Sequence, residues 1–495
     1  MKKIFPALPS SQDRARYVSL PAMTTMFLII ASLPKISFAQ NVGIATTSPL
    51  EKLHVNGNIK GDTLKPNAIK LITNAGAGKL LTSDAQGNAN WQNFNSAAAG
   101  NLGYGVWGDC ATTAIISEYY PVSNNTVTND AFGSSVAISG DFAIIGAPQD
   151  NGPGGNFQGS ISFYHYDGVS WVFMEKIFDA TGSVNDLFGN RVAISGNYAI
   201  AGAFSDDGPG GLDQGSASIY QFNGTNWVLM QKLTDATGAA NDLFGFAVSI
   251  SGNYAIVGAF RDDSPTTEVD KGSASIYQYN GSNWSLMQKI TDATGAANDF
   301  FGYSVSLSGN RAIVGAYGDA GPGGAGQGSA SIYQYNGISW VLMQKITDQG
   351  GAASDNFGMS VAISGDYAIV GAPYDDFTVT DQGSAIVYKY NGSAWIQFQR
   401  LLDLNGASSD FFGKFLTISD NYAIVGAFNH NQGSGSATIY QRIGSAWAKL
   451  LYVTDPAASV ADYFGNSVAI DGKKFLIGAP EFASSKGKAI FGKIN

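Results

Sequence analysis

Short apolar segments alternate with polar, glycine-rich turns from about residue 130 to the end of the chain. Some segments, such as residues 254–259 (YAIVGA), are continuously apolar, as expected of a strand that is covered on both faces. Others, such as residues 272–279 (GSASIYQY), alternate in the manner of a half-buried strand. Ser-Gly-Asn and Asn-Gly turns join neighbouring segments, and both are hairpin signals. The pattern predicts an all-β fold of antiparallel strands.

The predicted strands belong to a unit that recurs seven times. Each unit begins with a Phe-Gly pair, has a Gly-Ala pair fourteen residues later, and has a third glycine that opens its third strand. Six Trp residues stand 17 positions before a Phe and open the fourth strand. The Phe residues are Phe132, Phe188, Phe244, Phe301, Phe357, Phe412 and Phe464. Seven four-stranded units of ~50–57 residues predict a seven-bladed β-propeller.

An isolated apolar segment before the first unit predicts how the ring closes. The last unit has residues for three strands, and residues 113–120 (TAIISEYY) form an additional predicted strand. Ile115 precedes Phe132 by 17 residues, which is the position of Trp in the other units. We expect this strand to complete the last blade and to leave no open sheet edge there. The propeller is therefore predicted to span residues 111–495.

The N-terminal 39 residues are predicted to be a secretory signal peptide. Basic residues precede a short apolar run at residues 26–33, and the small residues Ser37 and Ala39 stand just before Gln40. This is the pattern of a signal peptide that is cleaved after Ala39. No later segment is long and apolar enough to span a membrane. We expect a secreted or cell-surface protein, with the periplasm as a further possible location.

Residues 40–92 are predicted to form a small β module, and residues 93–110 a linker. The segments NVGI and KLHVNG, followed by GAGKLLTSD, are similar to stalk segments of Bacteroidetes surface proteins and of tail-fibre-like proteins. The resemblance implies short β-structure and a possible homotrimer through this stalk. The alternative is a flexible leader. The Ala-, Gly- and Asn-rich composition of residues 93–108 is typical of a linker.

The repeat itself resembles the FG-GAP repeat of integrin α-subunit propellers and of many secreted bacterial proteins. Phe357-Gly358 through Gly371-Ala372-Pro373 shows the motif, although four of the seven units replace the Pro by Phe or Tyr. The resemblance implies a propeller with an adhesion-like role. The calcium loop that integrin-type repeats often carry is replaced here by a short hairpin, which cannot supply the six to eight oxygens that calcium prefers.

The composition of the chain excludes several kinds of partner and catalytic site. The formal charge is −10, or about −14 without the signal peptide, which argues against nucleic acid as a partner. One Cys and three His leave little material for a disulfide framework or a zinc site. No hydrolase, zinc-protease or phosphate-loop motif is found. We therefore expect no catalytic residues and no certain cofactor.

Acidic residues concentrate in the loops of one predicted face. Of the 38 acidic residues, 26 lie in the loops between strands two and three or between strand four and the next blade, beside very few bases. An Asp two positions before each Phe is interpreted as a turn former. The Asp-Asp pairs in the longer loops are candidates for weak Ca²⁺ binding: Asp206, Asp207, Asp262, Asp263, Asp375 and Asp376.

Two functions follow as hypotheses. The loops between strands two and three differ in length, and variation confined to one face is typical of a binding surface. The first hypothesis is a secreted, non-enzymatic binding or adhesion propeller, which presents this acidic face to an extracellular protein, a glycan or a cation. The alternative is an extracellular carbohydrate-active enzyme with its site in the central mouth of the ring. A structural surface protein without a defined ligand is a third interpretation.

Overall fold

The computed structural model describes residues 42–44, 53–55, 79–83, 89–93, 129–263, 269–403 and 406–494. The chain divides into two units, residues 1–94 and 95–495. In the first unit, β1 (Val42–Ile44) pairs in parallel with β2 (Leu53–Val55), and β3 (Lys79–Ser83) pairs antiparallel with β4 (Ala89–Asn93). These strands lie within residues 40–92 except for Asn93, the last residue of β4, which falls in the predicted linker, and the stalk and the trimer stay predictions.

The second unit contains seven antiparallel sheets, one for each repeat, which confirms the predicted seven-bladed propeller. The strands of blades 1 to 3 are β5 (Ser135–Ser139), β6 (Phe142–Ala147), β7 (Ser160–Tyr166), β8 (Trp171–Phe178), β9 (Arg191–Ser195), β10 (Tyr198–Ala203), β11 (Ser216–Phe222), β12 (Trp227–Leu233), β13 (Ala247–Ser251), β14 (Tyr254–Ala259), β15 (Ser273–Tyr279) and β16 (Trp284–Ile290).

Blades 4 to 7 repeat this order, and two short helical turns lie in the loops of blades 6 and 7. The strands are β17 (Ser304–Ser308), β18 (Arg311–Ala316), β19 (Ser329–Tyr335), β20 (Trp340–Ile346), β21 (Ser360–Ser364), β22 (Tyr367–Ala372), β23 (Ser384–Tyr390), β24 (Trp395–Leu401), β25 (Phe415–Ser419), β26 (Tyr422–Ala427), β27 (Ser436–Ile443), β28 (Ala446–Val453), β29 (Ser467–Asp471), β30 (Lys474–Ala479) and β31 (Lys488–Lys493). The turns are α1 (His430–Gly433) and α2 (Phe482–Ser485).

The first strands of successive blades lie side by side around the centre, and β29 of blade 7 lies beside β5 of blade 1. Blade 7 has three strands among the described residues. The predicted closing strand, residues 113–120, lies outside the described residues. Its role therefore stays a prediction.

The conserved spacing of the repeat follows from close contact between blades. A Cβ atom added to Gly258, in the Gly-Ala pair of blade 3, would lie 2.0 Å from the carbonyl oxygen of Gly302, in the Phe-Gly pair of blade 4. Gly272, the third glycine of blade 3, forms a parallel bridge with Phe301. The motif glycines thus meet at each blade junction, because only glycine allows the two backbones to approach so closely.

The hydrophobic core lies between the blades. The second strands are almost fully buried, as their continuously apolar sequences predict. Aromatic side chains pack across each junction: Trp227 of blade 2 stacks on Phe163 of blade 1 with ring centroids 4.4 Å apart, and Trp171 stacks on Phe491 of blade 7 at 4.6 Å. The Trp of the repeat therefore joins its own blade to the preceding one.

Candidate binding face and central mouth

The loops between strands two and three and the loops between blades share one face of the ring, as the sequence predicts. We call this surface the loop face. The backbone amide of Phe188 donates to the carbonyl of Gln158 at 2.9 Å, and that of Asn185 donates to Asn156 at 3.0 Å. Each loop between strands two and three is therefore fixed to the loop that leads into the following blade.

A buried glutamine supports this arrangement in four blades, and it was not predicted from the sequence. In blade 2, Gln214 Nε2 donates to the carbonyls of Asp235 and Gly238, and its Oε1 accepts from the amide of Gly210. The equivalent residues are Gln158, Gln327 and Gln382. The signal was available, because each of these glutamines directly precedes the third glycine of its repeat.

A second missed feature corrects the expectation that the loop face has very few bases. Lysines of the fourth strands extend to this face. Lys232 lies 2.8 Å from Asp179, in the loop before its blade, and 2.6 Å from Asp206, in its own blade. Lys289, Lys345 and Arg400 each contact two aspartates in the same way. We call these four residues the bridging cations, and together they contact eight of the aspartates on the predicted acidic surface.

The ion pairs reinforce the charged states of their members. Burial opposes the charge of Lys232, but hydrogen bonds from Lys232 to Asp179 and Asp206 outweigh burial and raise its pKa. Burial likewise opposes the ionised form of Asp179, while Lys232 and the amide of Thr181 lower its pKa below the ordinary value. The paired form is therefore the stable one at neutral pH.

The two Asp residues of each candidate calcium-binding pair have different partners. The first Asp of each pair is buried and contacts a bridging cation: Asp206 with Lys232, Asp262 with Lys289 and Asp375 with Arg400. The second Asp is exposed and accepts from its own loop: Asp207 from Asp213, Asp263 from Asp270 and Asp376 from Asp381. Calcium binding at these pairs stays a prediction, and calcium would compete there with the bridging cations.

Metal-ligand clusters are absent from the part of the chain that the structure describes, where no three His, Cys, Asp or Glu side chains could hold one ion. His430 takes the position that Asp206 has in blade 2. Its Nδ1 lies 2.8 Å from Asp410 Oδ2, and this hydrogen bond raises the pKa of His430. The histidine is therefore held in place by the loop that leads into its own blade.

The Asp residues before Phe-Gly form turns, as predicted from the sequence. Asp242 Oδ2 accepts from the amide of Ala239 at 2.6 Å, and the same bond recurs in Asp186 and Asp355. Burial raises the pKa of each of these three carboxyls to about 6, although the backbone amide opposes the shift. These carboxyls therefore change charge near neutral pH.

The centre of the ring contains a cavity of about 400 Å³, which we call the central mouth. It is lined by the residues that follow each Phe-Gly pair, where the first strands begin. Serines supply much of the lining, and two cations, Arg191 of blade 2 and Lys414 of blade 6, are also present. No Asp or Glu belongs to the described lining. The mouth is thus cationic in an acidic protein.

Aromatic rings lie around the two cations. The Arg191 guanidinium lies 5.4 Å from the ring centre of Phe246, which packs against Tyr303 of the mouth lining at 4.9 Å. The Lys414 ammonium lies 4.7 Å from the ring centre of Phe428. Cation–π contacts of this kind stabilise a positive charge without neutralising it.

Comparison with known families gives a consistent match. The model of the FG-GAP repeat matches six segments, which together cover more than half of the chain: residues 122–164, 171–220, 227–277, 284–333, 340–388 and 395–440. The chain belongs to the FG-GAP repeat family. The unit that begins at Phe464 lies outside these six matches, but it forms blade 7 of the same ring.

Other comparisons add little to the FG-GAP assignment. A crystal structure of a proposed 6-phosphogluconolactonase from Bacteroides uniformis is 12% identical, with a TM-score of 0.43 over 65% of this chain and 85% of that chain. No curated protein matches the chain. Among the described residues, no helix is long and apolar enough to cross a membrane.

The constant positions of this FG-GAP propeller are all engaged in the fold. The motif glycines form the blade junctions, and the repeated aspartates bind backbone amides or the bridging cations. The loops between strands two and three vary in length and sequence from blade to blade, and so do the second and third residues after each Phe, positions that contribute to the central mouth. Function in this FG-GAP protein is therefore to be sought at these two places.

Proposed function

We propose that this protein is a secreted, non-enzymatic binding propeller that presents its loop face to an extracellular protein or glycan. Membership of the FG-GAP family supports binding rather than catalysis. The signal sequence at residues 1–39 supports secretion, and residues 40–92 would serve as a stalk that trimerises. Light scattering of chains that begin at Gln40 and at Asp109 would test the trimer.

The observation that carries the proposal is a set of apolar side chains exposed on the variable loops. Leu212 is 67% exposed and Phe377 is 53% exposed, and both lie between strands two and three of their blades. The surrounding loops are fixed by buried glutamines and ion pairs, so these side chains are held on a rigid support. A rigid surface with exposed apolar residues loses little entropy when it binds a partner.

The enzymatic alternative has less support. Glycoside hydrolases generally act through two carboxyl groups that flank the bond to be cleaved. The described lining of the central mouth contains no Asp or Glu. A lyase would not need this carboxyl pair, so substrates of both enzyme classes belong in the test.

The test is a glycan array and a panel of immobilised extracellular matrix proteins, run beside hydrolase and lyase substrates. We expect saturable binding without turnover, and we expect Leu212→Asp and Phe377→Asp to weaken it. Ile338→Asp is the matched control, because Ile338 is 87% exposed in a hairpin of the opposite face. Turnover of any substrate, or equal loss of binding in the control, would contradict the proposal.

A further inference from the structure

The central mouth is positively charged, although the molecule as a whole is negatively charged. The chain has 38 acidic residues and a net charge of −10. Elsewhere on the same face, each bridging cation contacts two aspartates. Arg191 and Lys414 have no ion-pair partner within the described part of the chain, although both are half-buried in one cavity.

Two like charges in one cavity are unfavourable without a counter-charge. Burial lowers the pKa of both side chains, and the charge of Arg191 lowers that of Lys414 further. Arg191 donates one hydrogen bond, from Nη1 to the carbonyl of Asn190 at 3.0 Å. A partly desolvated cation that lacks an anionic partner destabilises the protein. An anion bound between the two cations would remove this penalty.

The ring does not require these cations. Arg191 stands at the position that Ser135, Ser304, Ser360 and Ser467 occupy in other blades, where three of the serine hydroxyls donate to the carbonyl of the next blade. The position of Lys414 is occupied by Asn190 and Asn466 in blades 2 and 7. Smaller polar residues therefore serve the fold at both positions.

The neighbouring amide does not add a third group to the two cations. Asn190 contributes to the mouth next to Arg191, but its side-chain nitrogen Nδ2 is buried and has no hydrogen-bond partner among the described residues. A buried atom of this kind is not exposed to a ligand in the mouth. The groups that the lining offers to an anion are therefore the two cations.

We propose that the central mouth binds an acidic saccharide residue, with Arg191 and Lys414 on opposite sides of its carboxylate or sulfate group. Blades 2 and 6 are three blades apart, the largest separation in a seven-membered ring. A cavity of about 400 Å³ falls in the size range of small-molecule sites, ~300–1,000 Å³. This proposal deepens the proposed function, on which it rests, by naming a ligand class for the centre of the loop face.

The uncharged part of the ligand is inferred from the other residues of the lining. Serine hydroxyls retain lone pairs after donating to the ring, and Asn466 adds an amide. The half-buried ring of Tyr303 provides an apolar surface in the same cavity. Hydroxyls, amides and an aromatic ring together suit a pyranose, which has many polar groups and apolar C–H faces.

The experiment is calorimetry on the chain from Gln40 to Asn495 with single sugars. The probes are glucuronate and N-acetylglucosamine 6-sulfate, with glucose and N-acetylglucosamine as their neutral counterparts, and acetyl-aspartate amide to represent an acidic peptide. The variants are Arg191→Ser, Lys414→Asn and the double variant, which copy residues found at these positions in other blades. Lys389→Gln is the matched control, because other blades have Gln at this exposed position.

We expect an acidic sugar to bind at least about tenfold more tightly than its neutral counterpart, and each mouth variant to weaken binding on the order of 10- to 100-fold. The control should bind as the wild type does. The proposal is overturned if the wild type binds none of the acidic probes, if the double variant binds like the wild type, or if acetyl-aspartate amide binds more tightly than both acidic sugars. Melting curves of all variants verify that they fold.

The two proposals fail separately. If a partner binds the loop face and depends on Leu212 and Phe377 but no acidic sugar binds the mouth, only the present inference is wrong. If an acidic sugar binds the mouth in an Arg191-dependent manner but no array or panel member depends on Leu212 or Phe377, only the assignment of binding to the variable loops is wrong.

Discussion

At the scale of single residues, one cation on a fourth strand holds two buried carboxylates from two blades. The carboxylates of Asp179 and Asp206 depend on Lys232 in this way. Their desolvation is tolerated because the opposite charge lies within hydrogen-bond distance. The repeated aspartates are therefore part of the blade junction rather than a free acidic surface.

Replacing Lys232 by Met should destabilise the propeller strongly. The substitution retains the apolar stem but leaves Asp179 and Asp206 without their cation. We expect the free energy of unfolding to fall by about 2–4 kcal/mol, measured by urea denaturation at pH 7. Lys389→Gln, which removes an exposed charge, should change it by less than about 0.5 kcal/mol. Equal effects of the two substitutions would contradict the internal role of Lys232.

Stability should depend on pH through the Asp residues before Phe-Gly. Burial raises the pKa of Asp242 in the folded protein to about 6, above the ordinary value of 3.8. The folded state then binds the proton more tightly than the unfolded chain, so this contribution is complete below pH 3.8 and is lost as the pH rises through 6. Asp186 and Asp355 add to it in the same direction.

The variant Asp242→Asn resembles the protonated carboxyl at every pH, and its amide oxygen can still accept from Ala239. We expect it to raise the melting temperature at pH 7.5 and to have little effect at pH 4.5. Asp179 has the opposite pH dependence, because its pKa in the folded protein is lowered. The stability that it contributes is present above the ordinary Asp pKa of 3.8 and is lost as the pH falls below that value. An equal change in melting temperature at both pH values would contradict the raised pKa of Asp242.

At the scale of the strands, neighbouring fourth strands are joined by glutamine side chains. Gln288 Oε1 accepts from the backbone amide of Trp340 at 2.9 Å, and its Nε2 donates to the carbonyl of Trp340 at 3.1 Å. Gln231, Gln344 and Gln399 make the same pair of bonds. Each of these glutamines stands four residues after a Trp, a spacing that was visible in the sequence.

Blade 1 has Glu175 at this position, which offers a direct test. Glu175 accepts from the amide of Trp227 at 2.5 Å, but a carboxylate cannot donate to the carbonyl. We expect Glu175→Gln to add the second bond and to raise the free energy of unfolding by about 0.5–1.5 kcal/mol. The reverse change in another blade, Gln288→Glu, should lower it by a similar amount. If Glu175→Gln does not stabilise the protein and Gln288→Glu does not destabilise it, the second hydrogen bond has no effect on stability.

At the scale of the whole molecule, the junction between blades 7 and 1 closes the ring. β5 and β29 lie side by side there, Trp171 stacks on Phe491, and Lys474 contacts the carbonyl of Gly140 at 2.9 Å. Lys488 of β31 binds Asp455 from the loop before blade 7, a contact that fourth-strand cations provide in other blades. In blade 7, a cation of the third strand therefore pairs with the Asp of the preceding loop, which a fourth-strand cation does in other blades.

Removal of the predicted closing strand should weaken this junction. A chain that begins at Asp130 lacks residues 113–120 and should leave the outer edge of β31 unpaired, with aggregation or a large drop in melting temperature. A chain that begins at Asp109 retains the segment and should melt like the chain that begins at Gln40. Equal melting temperatures of the chains that begin at Asp109 and Asp130 would contradict closure by this segment.

The sequence by itself determined the propeller, its seven blades and the face on which its loops lie. Strand alternation, the Ser-Gly-Asn and Asn-Gly turns and the Phe-Gly spacing act between residues that are close along the chain, and seven repetitions remove ambiguity. Turn formation by the Asp residues before Phe-Gly was predictable for the same reason, since Asp242 binds an amide three residues away.

Only the tertiary structure decided which charges meet. Lys232 reaches Asp179 across a blade junction, so part of the acidic surface that composition indicated is paired with cations of the fourth strands. Arg191 and Lys414 lie far apart in the sequence, in blades 2 and 6, and line one cavity because the ring closes. Periodicity specifies what the blades share, including the valines and serines of the central mouth, whereas the charge of the mouth comes from two positions at which the blades differ, Arg191 and Lys414.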